Sequence, residues 1–127
     1  MKKIIVLGLG IMLLAAACNK TSPAATNNPN QAVLSGTAEI QITASGFNPT
    51  DITVKAGTVV KFINMDTVPH WPASNPHPTH TDLPGFDALK GLANDESYSF
   101  TFTQVGKWGF HDHLNPIDNR GSITVVK

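Results

Sequence analysis

Apolar and polar residues alternate in several short runs along this chain, with a period of two. Ile40 and Ile42 flank Gln41, and Ile52 and Val54 flank Thr53, as in strands that turn one face to a core. Thr58–Asn64 is denser in apolar residues and predicts a more fully buried strand. Tyr98, Phe100 and Phe102 alternate with Ser and Thr, Val105-Gly106 turns the chain into Trp108–His113, and Ile123–Val126 predicts a closing strand. Gly46, Pro49 and Gly57 punctuate these runs. No stretch beyond Cys18 keeps a period of 3.6 over a helix's length, so the pattern predicts an all-β sandwich of short strands.

Between residues 66 and 96 the alternation lapses. This interval contains Pro69, Pro72, Pro76, Pro78 and Pro84 together with His70, His77 and His80. A loop this long in a compact domain is either functional or disordered, and prolines lower the entropy lost in holding it still. Phe86, Leu89 and Leu92 are placed to pin it to the sandwich, while Met65 reads as core packing.

The N-terminus is of another kind. Lys2 and Lys3, the apolar run Ile4–Ala17 and then Cys18 form a basic region, a hydrophobic stretch and a small-residue cleavage zone. This predicts a secretory signal over residues 1–17, too short to span a bilayer as a helix. Because the cysteine follows Leu14-Ala15-Ala16-Ala17, the segment resembles a bacterial lipoprotein signal, with Cys18 lipidated and becoming the mature N-terminus. Ordinary cleavage after Ala17 is the alternative. Residues 18–35, rich in Asn, Thr, Ala and Pro, read as a flexible linker, leaving 36–127 as the folded domain. The expected location is the bacterial cell envelope, periplasmic or at the cell surface, with the membrane as partner through the lipid anchor; otherwise the protein is secreted.

Loss of Lys2 and Lys3 with the leader leaves seven basic against nine acidic side chains, a formal charge of −2. With no basic patch, nucleic acid is not an expected partner. The only cysteine stands at the start of the mature chain, so no disulfide staples the domain.

All five histidines fall within residues 70–113. In a strand, His111 and His113 project from one face about 6.5–7 Å apart, close enough to share one metal ion. Neutral imidazole is a common metal ligand, and a set of imidazoles suits copper or zinc better than calcium or magnesium.

Three segments together resemble the cupredoxin family, of the plastocyanin and amicyanin type, over residues 37–126. They are Gly46-Phe47-Asn48-Pro49 leading into Ile52–Gly57; Val60–Asn64 followed by Pro69-His70; and Phe100–Phe102 through Gly106-Lys107-Trp108 to Gly121–Val125. The resemblance implies a Greek-key β-sandwich with a copper site at one end. It places His70 on the family's upstream His ligand, Asp112 where the family has its Cys, Asn115 where it has the second His, and Asp118 or Asn119 near its Met. Blue-copper electron transfer depends on a copper–thiolate bond, so the resemblance implies a non-blue site. Trp108-Gly109-Phe110-His111-Asp112-His113 is also similar to the Trp-x-x-His-x-His strand of multicopper oxidases, whose paired histidines hold copper.

Strand parity leaves the ligand set open. If Trp108 and Phe110 face the core, Asp112 shares their side, while His111 and His113 point the other way. Either His70, Asp112 and His113 meet at the usual loop end, the arrangement slightly favoured, or His111 and His113 lie on an outer face awaiting a partner. The candidate metal ligands are therefore His70, His111, Asp112 and His113, with His77 and His80 as secondary candidates. Trp71 reads as a packing residue or a lid, and Asp82 and Asp87 as loop or capping residues. The expected function is a copper-binding protein with a type 2-like Cu(II) site, zinc being possible, in copper handling or delivery with a redox or copper-transfer partner. The alternatives are a type 2 copper redox enzyme and a metal-free interaction module of the envelope.

Overall fold

The computed structural model describes residues 32–127; the expected signal over residues 1–17, Cys18 and most of the expected linker lie outside them. Eight strands follow in order: β1 Thr37–Thr43, β2 Gly46–Asn48, β3 Asp51–Lys55, β4 Thr58–Asn64, β5 Pro72–Ser74, β6 Ser97–Phe102, β7 Gly106–Asp112 and β8 Arg120–Val126. No described residue is helical. The strands form two four-stranded sheets, one in the order β2-β1-β4-β6 and the other β3-β8-β7-β5. Each sheet mixes directions: β1 runs parallel to β4 and β3 parallel to β8, while the remaining pairs are antiparallel.

The period-two runs supply the two inner faces. Ile40, Ile42, Val60, Phe62 and Phe102 come from one sheet, and Ile52, Val54, Phe110, Ile123 and Val125 from the other; all are buried. β4 alternates rather than being buried on both sides, since Val59, Lys61 and Ile63 are half-exposed on its outer face. Its sheet packs on the core with one side only. Met65 is likewise exposed instead of packed in the core. Leu34, upstream of β1, is already held to β3, its N–H donating to the Thr53 carbonyl at 2.9 Å.

Phe86 and Leu92 pin the long loop, lying fully buried within the same core, whereas Leu89 points into solvent. Phe86 packs against Phe62 and Phe110 with ring centroids 5.4 and 6.0 Å apart. Burying one such side chain stabilises the fold by about 1.5–3 kcal/mol, enough to hold the middle of the loop in place. On the way out, Pro72–Ser74 adds to the edge of β7 as β5, a position that tolerates proline. On the way back, Ser74 N–H donates to Phe86 O (2.8 Å) and Ala88 N–H to Pro72 O (3.1 Å). Residues 75–85 are thereby left as an excursion at the edge of the β7 sheet.

Candidate metal centre

Phe110 on β7 points into the core, so its neighbours Gly109 and His111 face outward. His111 is nonetheless only 1% exposed. It is covered by the excursion that follows β5. Asn75 N–H donates to Gly109 O (3.1 Å), Asp82 N–H to Asn75 O (2.8 Å), and Leu83 N–H to the Ser74 hydroxyl (2.9 Å). A Cβ at residue 109 would meet the Asn75 side-chain amide, so glycine there makes the close approach possible. A tight turn, with His80 N–H donating to Pro76 O at 2.8 Å and His80 at φ +53°, then aims His77 and His80 back at the sheet.

Four imidazoles converge as a result. One ring nitrogen from each of His77, His80, His111 and His113 lies within 4.8 Å of all the others. His77 Nδ1 is 3.3 Å from His111 Nε2, and His113 Nδ1 is 2.9 Å from His80 Nε2. The outward nitrogens of two rings face acceptors: His111 Nδ1 lies 2.9 Å from Asn75 Oδ1, and His80 Nδ1 2.7 Å from Asp87 Oδ2. These oxygens can only accept, so each Nδ1 carries the proton and each Nε2 turns a lone pair inward.

Burial pushes the pKa of His111 down to about 4, aided by repulsion from the His80, His77 and His113 rings and from Arg120. His113 is lowered for the same reasons, burial first and then His77 and His80. Both rings are therefore neutral at pH 7, the form that binds metal. The donor set fits a metal ion. Nitrogens bound at about 2.0–2.1 Å in a tetrahedral site stand roughly 3.3–3.4 Å apart. Here all four lie within 4.8 Å of one another, with two pairs at 2.9 and 3.3 Å, so small ring movements would bring them to a metal. An all-imidazole set suits copper or zinc.

Asp112 and His70 form a separate network. Asp112 Oδ2 lies 2.7 Å from His70 Nδ1, and its Oδ1 accepts from the Trp71 and Leu114 N–H groups at 2.8 and 3.1 Å. Buried Asn119 adds a longer contact through its amide at 3.5 Å. The second nitrogen of His70 is 3.1 Å from Asp66 Oδ2. Burial opposes a charge on His70, but the hydrogen bonds to Asp112 and Asp66 outweigh it and raise its pKa. Burial likewise works against an ionised Asp112, yet the hydrogen bonds from the Trp71 backbone, His70 and the Leu114 backbone hold its pKa below the usual carboxylate value.

Of the residues singled out from sequence, His111 and His113 are thus brought together, with His77 and His80 rather than with His70 and Asp112. The arrangement in which His70, Asp112 and His113 share one site is not the one found. The outward-facing alternative describes the geometry, and the loop supplies the partner it lacked. Trp71 packs against one of the four rings, tilted to His113 with centroids 4.4 Å apart. Asp87 does cap the loop, accepting from Leu89 N–H at 2.8 Å, but its contact with His80 was not foreseen, nor was that of Asn75 with His111. The spacing His77-x-x-His80 in a proline-braced turn was the one available signal; for Asn75 there was none.

Comparison with known proteins agrees with this architecture. A family model described as a cupredoxin-like domain matches residues 8–125. Amicyanin from Paracoccus denitrificans is 30% identical over 113 residues, covering 87% of this chain and 82% of that protein. Among solved structures, a purple cupredoxin from Nitrosopumilus maritimus superposes with a TM-score of 0.61 at 23% identity, covering 70% of this chain and 99% of that one. An oxidized proline-to-alanine mutant of amicyanin gives a TM-score of 0.60 at 28% identity, covering 72% and 83% of the two chains. The chain belongs to the cupredoxin-like family, a family of copper-binding proteins. Within it, this domain lacks a thiolate, since residues 32–127 include no cysteine.

Proposed function

We propose that this protein is an exported, lipid-anchored copper-binding module of the cell envelope, holding the metal through His77, His80, His111 and His113 and serving copper handling or delivery. The observation that carries the reading is the convergence of four imidazole nitrogens within 4.8 Å of one another, two of them with their outer nitrogens tied to acceptors. Bound copper would supply a redox-capable cation to a non-blue, all-nitrogen site; zinc fits the same donors. In this reading His70 and Asp112 are structural, because both nitrogens of His70 are already engaged by carboxylates. The basic and apolar leader before Cys18 supports export and anchoring, with the membrane and a copper-transfer or redox protein as partners.

Titrating Cu(II) into the purified full chain, followed by electron paramagnetic resonance, tests the site. One equivalent should bind with nitrogen coupling in the spectrum, and His80→Ala and His111→Ala should each weaken it strongly. Binding only at millimolar copper, or binding unchanged in both variants, would remove the proposal.

One feature favours a second reading as a copper redox enzyme. A cleft of about 410 Å³, lined by His77, His111, Asp82 and Arg120 among others, opens beside the four rings. A small polar ligand entering it would reach the centre. An exchangeable water on the bound copper supports this reading, and four nitrogen ligands with no exchangeable water would argue against it.

A further inference from the structure

We infer that Asp87 is the positioning residue of the four-histidine centre, fixing His80 as an Nε2 ligand and tying it, through Trp71, to the ring of His113. The inference rests on the reading of that cluster as a metal site. Asp87 itself stands on rigid structure: its backbone bridges to Ala73 of β5, its N–H donates to the Tyr98 hydroxyl at 3.0 Å, and the adjacent Phe86 is fully buried in the core. His80 stands in the turn that follows Pro76, its side chain only 8% exposed among the rings of His77, His111 and His113, and Asp87 is the carboxylate that holds its far nitrogen.

The two carboxylate oxygens divide the work. Oδ2 takes His80 Nδ1 at 2.7 Å, while Oδ1 accepts from the Trp71 indole N–H at 2.6 Å and from Leu89 N–H at 2.8 Å. Capping the turn requires only the contact with Leu89, which Asn or Ser would also provide. The short contact to an imidazole goes beyond that role. Asp87's one ion pair recorded among the described residues is with His80, so its negative charge stands against the centre. Four neutral imidazoles leave a divalent ion's charge uncompensated, and a carboxylate on a ligand's outer nitrogen offsets part of it while raising the ligand's basicity.

Trp71 extends the linkage. Its carbonyl accepts from His113 N–H at 2.7 Å, and its ring lies over the His113 ring at 4.4 Å, while its indole N–H holds Asp87. The same tryptophan thus touches one ligand directly and steadies a second through the carboxylate.

The experiment measures Cu(II) affinity by chelator competition, the resonance spectrum of the copper-saturated protein, and unfolding of the metal-free protein. It compares wild type, Asp87→Ala, Asp87→Asn, Trp71→Phe and His80→Ala in the full chain. Asp87→Ala should weaken binding about 10–100-fold and shift the saturated spectrum toward that of His80→Ala. Asp87→Asn can keep the one acceptor that faces Trp71 and Leu89, so the cap survives, but its NH2 then meets His80 Nδ1 in place of the charged oxygen. It should unfold near the wild-type temperature and still lose affinity and shift the saturated spectrum. Trp71→Phe keeps the ring over His113 but removes one of the two donors to Oδ1, leaving Leu89 N–H on it, and should cost less than Asp87→Ala.

Wild-type affinity and spectrum in both Asp87 variants, alongside weakened binding in His80→Ala, would overturn the role of Asp87 while leaving the site standing. So would a loss that follows metal-free stability alone with a wild-type spectrum at saturation. Equal binding by wild type and His80→Ala would overturn the site and the inference with it.

Discussion

His70 Nδ1 lies 2.7 Å from Asp112 Oδ2, so the position at which the cupredoxin resemblance places an upstream histidine beside the thiolate is closed by an imidazole–carboxylate pair. Asp66 clasps the other nitrogen at 3.1 Å. Removing one member of a buried pair leaves its partner uncompensated, which typically costs about 3–5 kcal/mol. His70→Ala should therefore lower stability by roughly this amount in chemical denaturation. It should leave one copper bound per chain, because none of the four converging rings is removed. Loss of copper binding in a still-folded His70→Ala protein would return His70 to the ligand set.

The two kinds of histidine environment respond oppositely to pH. His70 has a raised pKa, so its stabilising contribution is fully present below the ordinary value of 6.5 and fades as pH rises through the folded-state value. His111 is depressed to about 4, so its folded form resists the proton that the unfolded chain takes up. Stability from this ring is present above 6.5 and is lost as pH falls from there toward 4. Acidifying the metal-free protein across that window should therefore destabilise it, with His70, already charged, contributing no compensating change. Ring-resolved nuclear magnetic resonance should show His70 titrating above 6.5 and His111 near 4. Coincident titration of the two rings would contradict the distinct environments.

Much of the sandwich was legible because burial on one face imposes a period of two, as Ile40 and Ile42 or Ile123 and Val125 illustrate. The same parity argument placed His111 and His113 outward from the side of Phe110. What it did not supply was the cover. β5 is three residues long and begins with proline, so no alternation marks it. The path of Asn75 over Gly109 is a tertiary contact between residues 34 positions apart, invisible to any local pattern. Leu89 was expected to pin the loop, yet it is 76% exposed, because Phe86 and Leu92 already fill the available core. The family resemblance drew attention to His70 and Asp112, whose side chains here satisfy each other.

Gly109 is the point at which strand and loop depend on one another most closely. A methyl group there would run into the Asn75 side chain, which also holds His111 Nδ1 at 2.9 Å. Gly109→Ala should displace the start of the excursion and misalign His77 and His111 together. The expected result is about 1–3 kcal/mol of destabilisation, typical of overpacking, with weaker copper binding than either wild type or a substitution at exposed Val105. Denaturation and chelator competition on the same samples would check both halves; wild-type affinity in Gly109→Ala would show that the loop reaches the rings by another route.

Trp71 offers an optical test of where the metal sits. Its ring is 4.4 Å from that of His113, whereas Trp108 follows the inward parity of Phe110 and donates its indole N–H to Gln104 O at 2.8 Å. Copper held by the four histidines would stand one imidazole away from Trp71. In Trp108→Phe, where Trp71 is the only indole, one equivalent of Cu(II) should remove most of the emission. Zinc, with a filled d shell and no redox chemistry, should occupy the same donors and leave the emission largely intact. Adding zinc first should then slow or prevent the quenching by copper. Emission from Trp71 that stays bright at a copper equivalent shown by resonance to be bound would place the metal elsewhere on the chain.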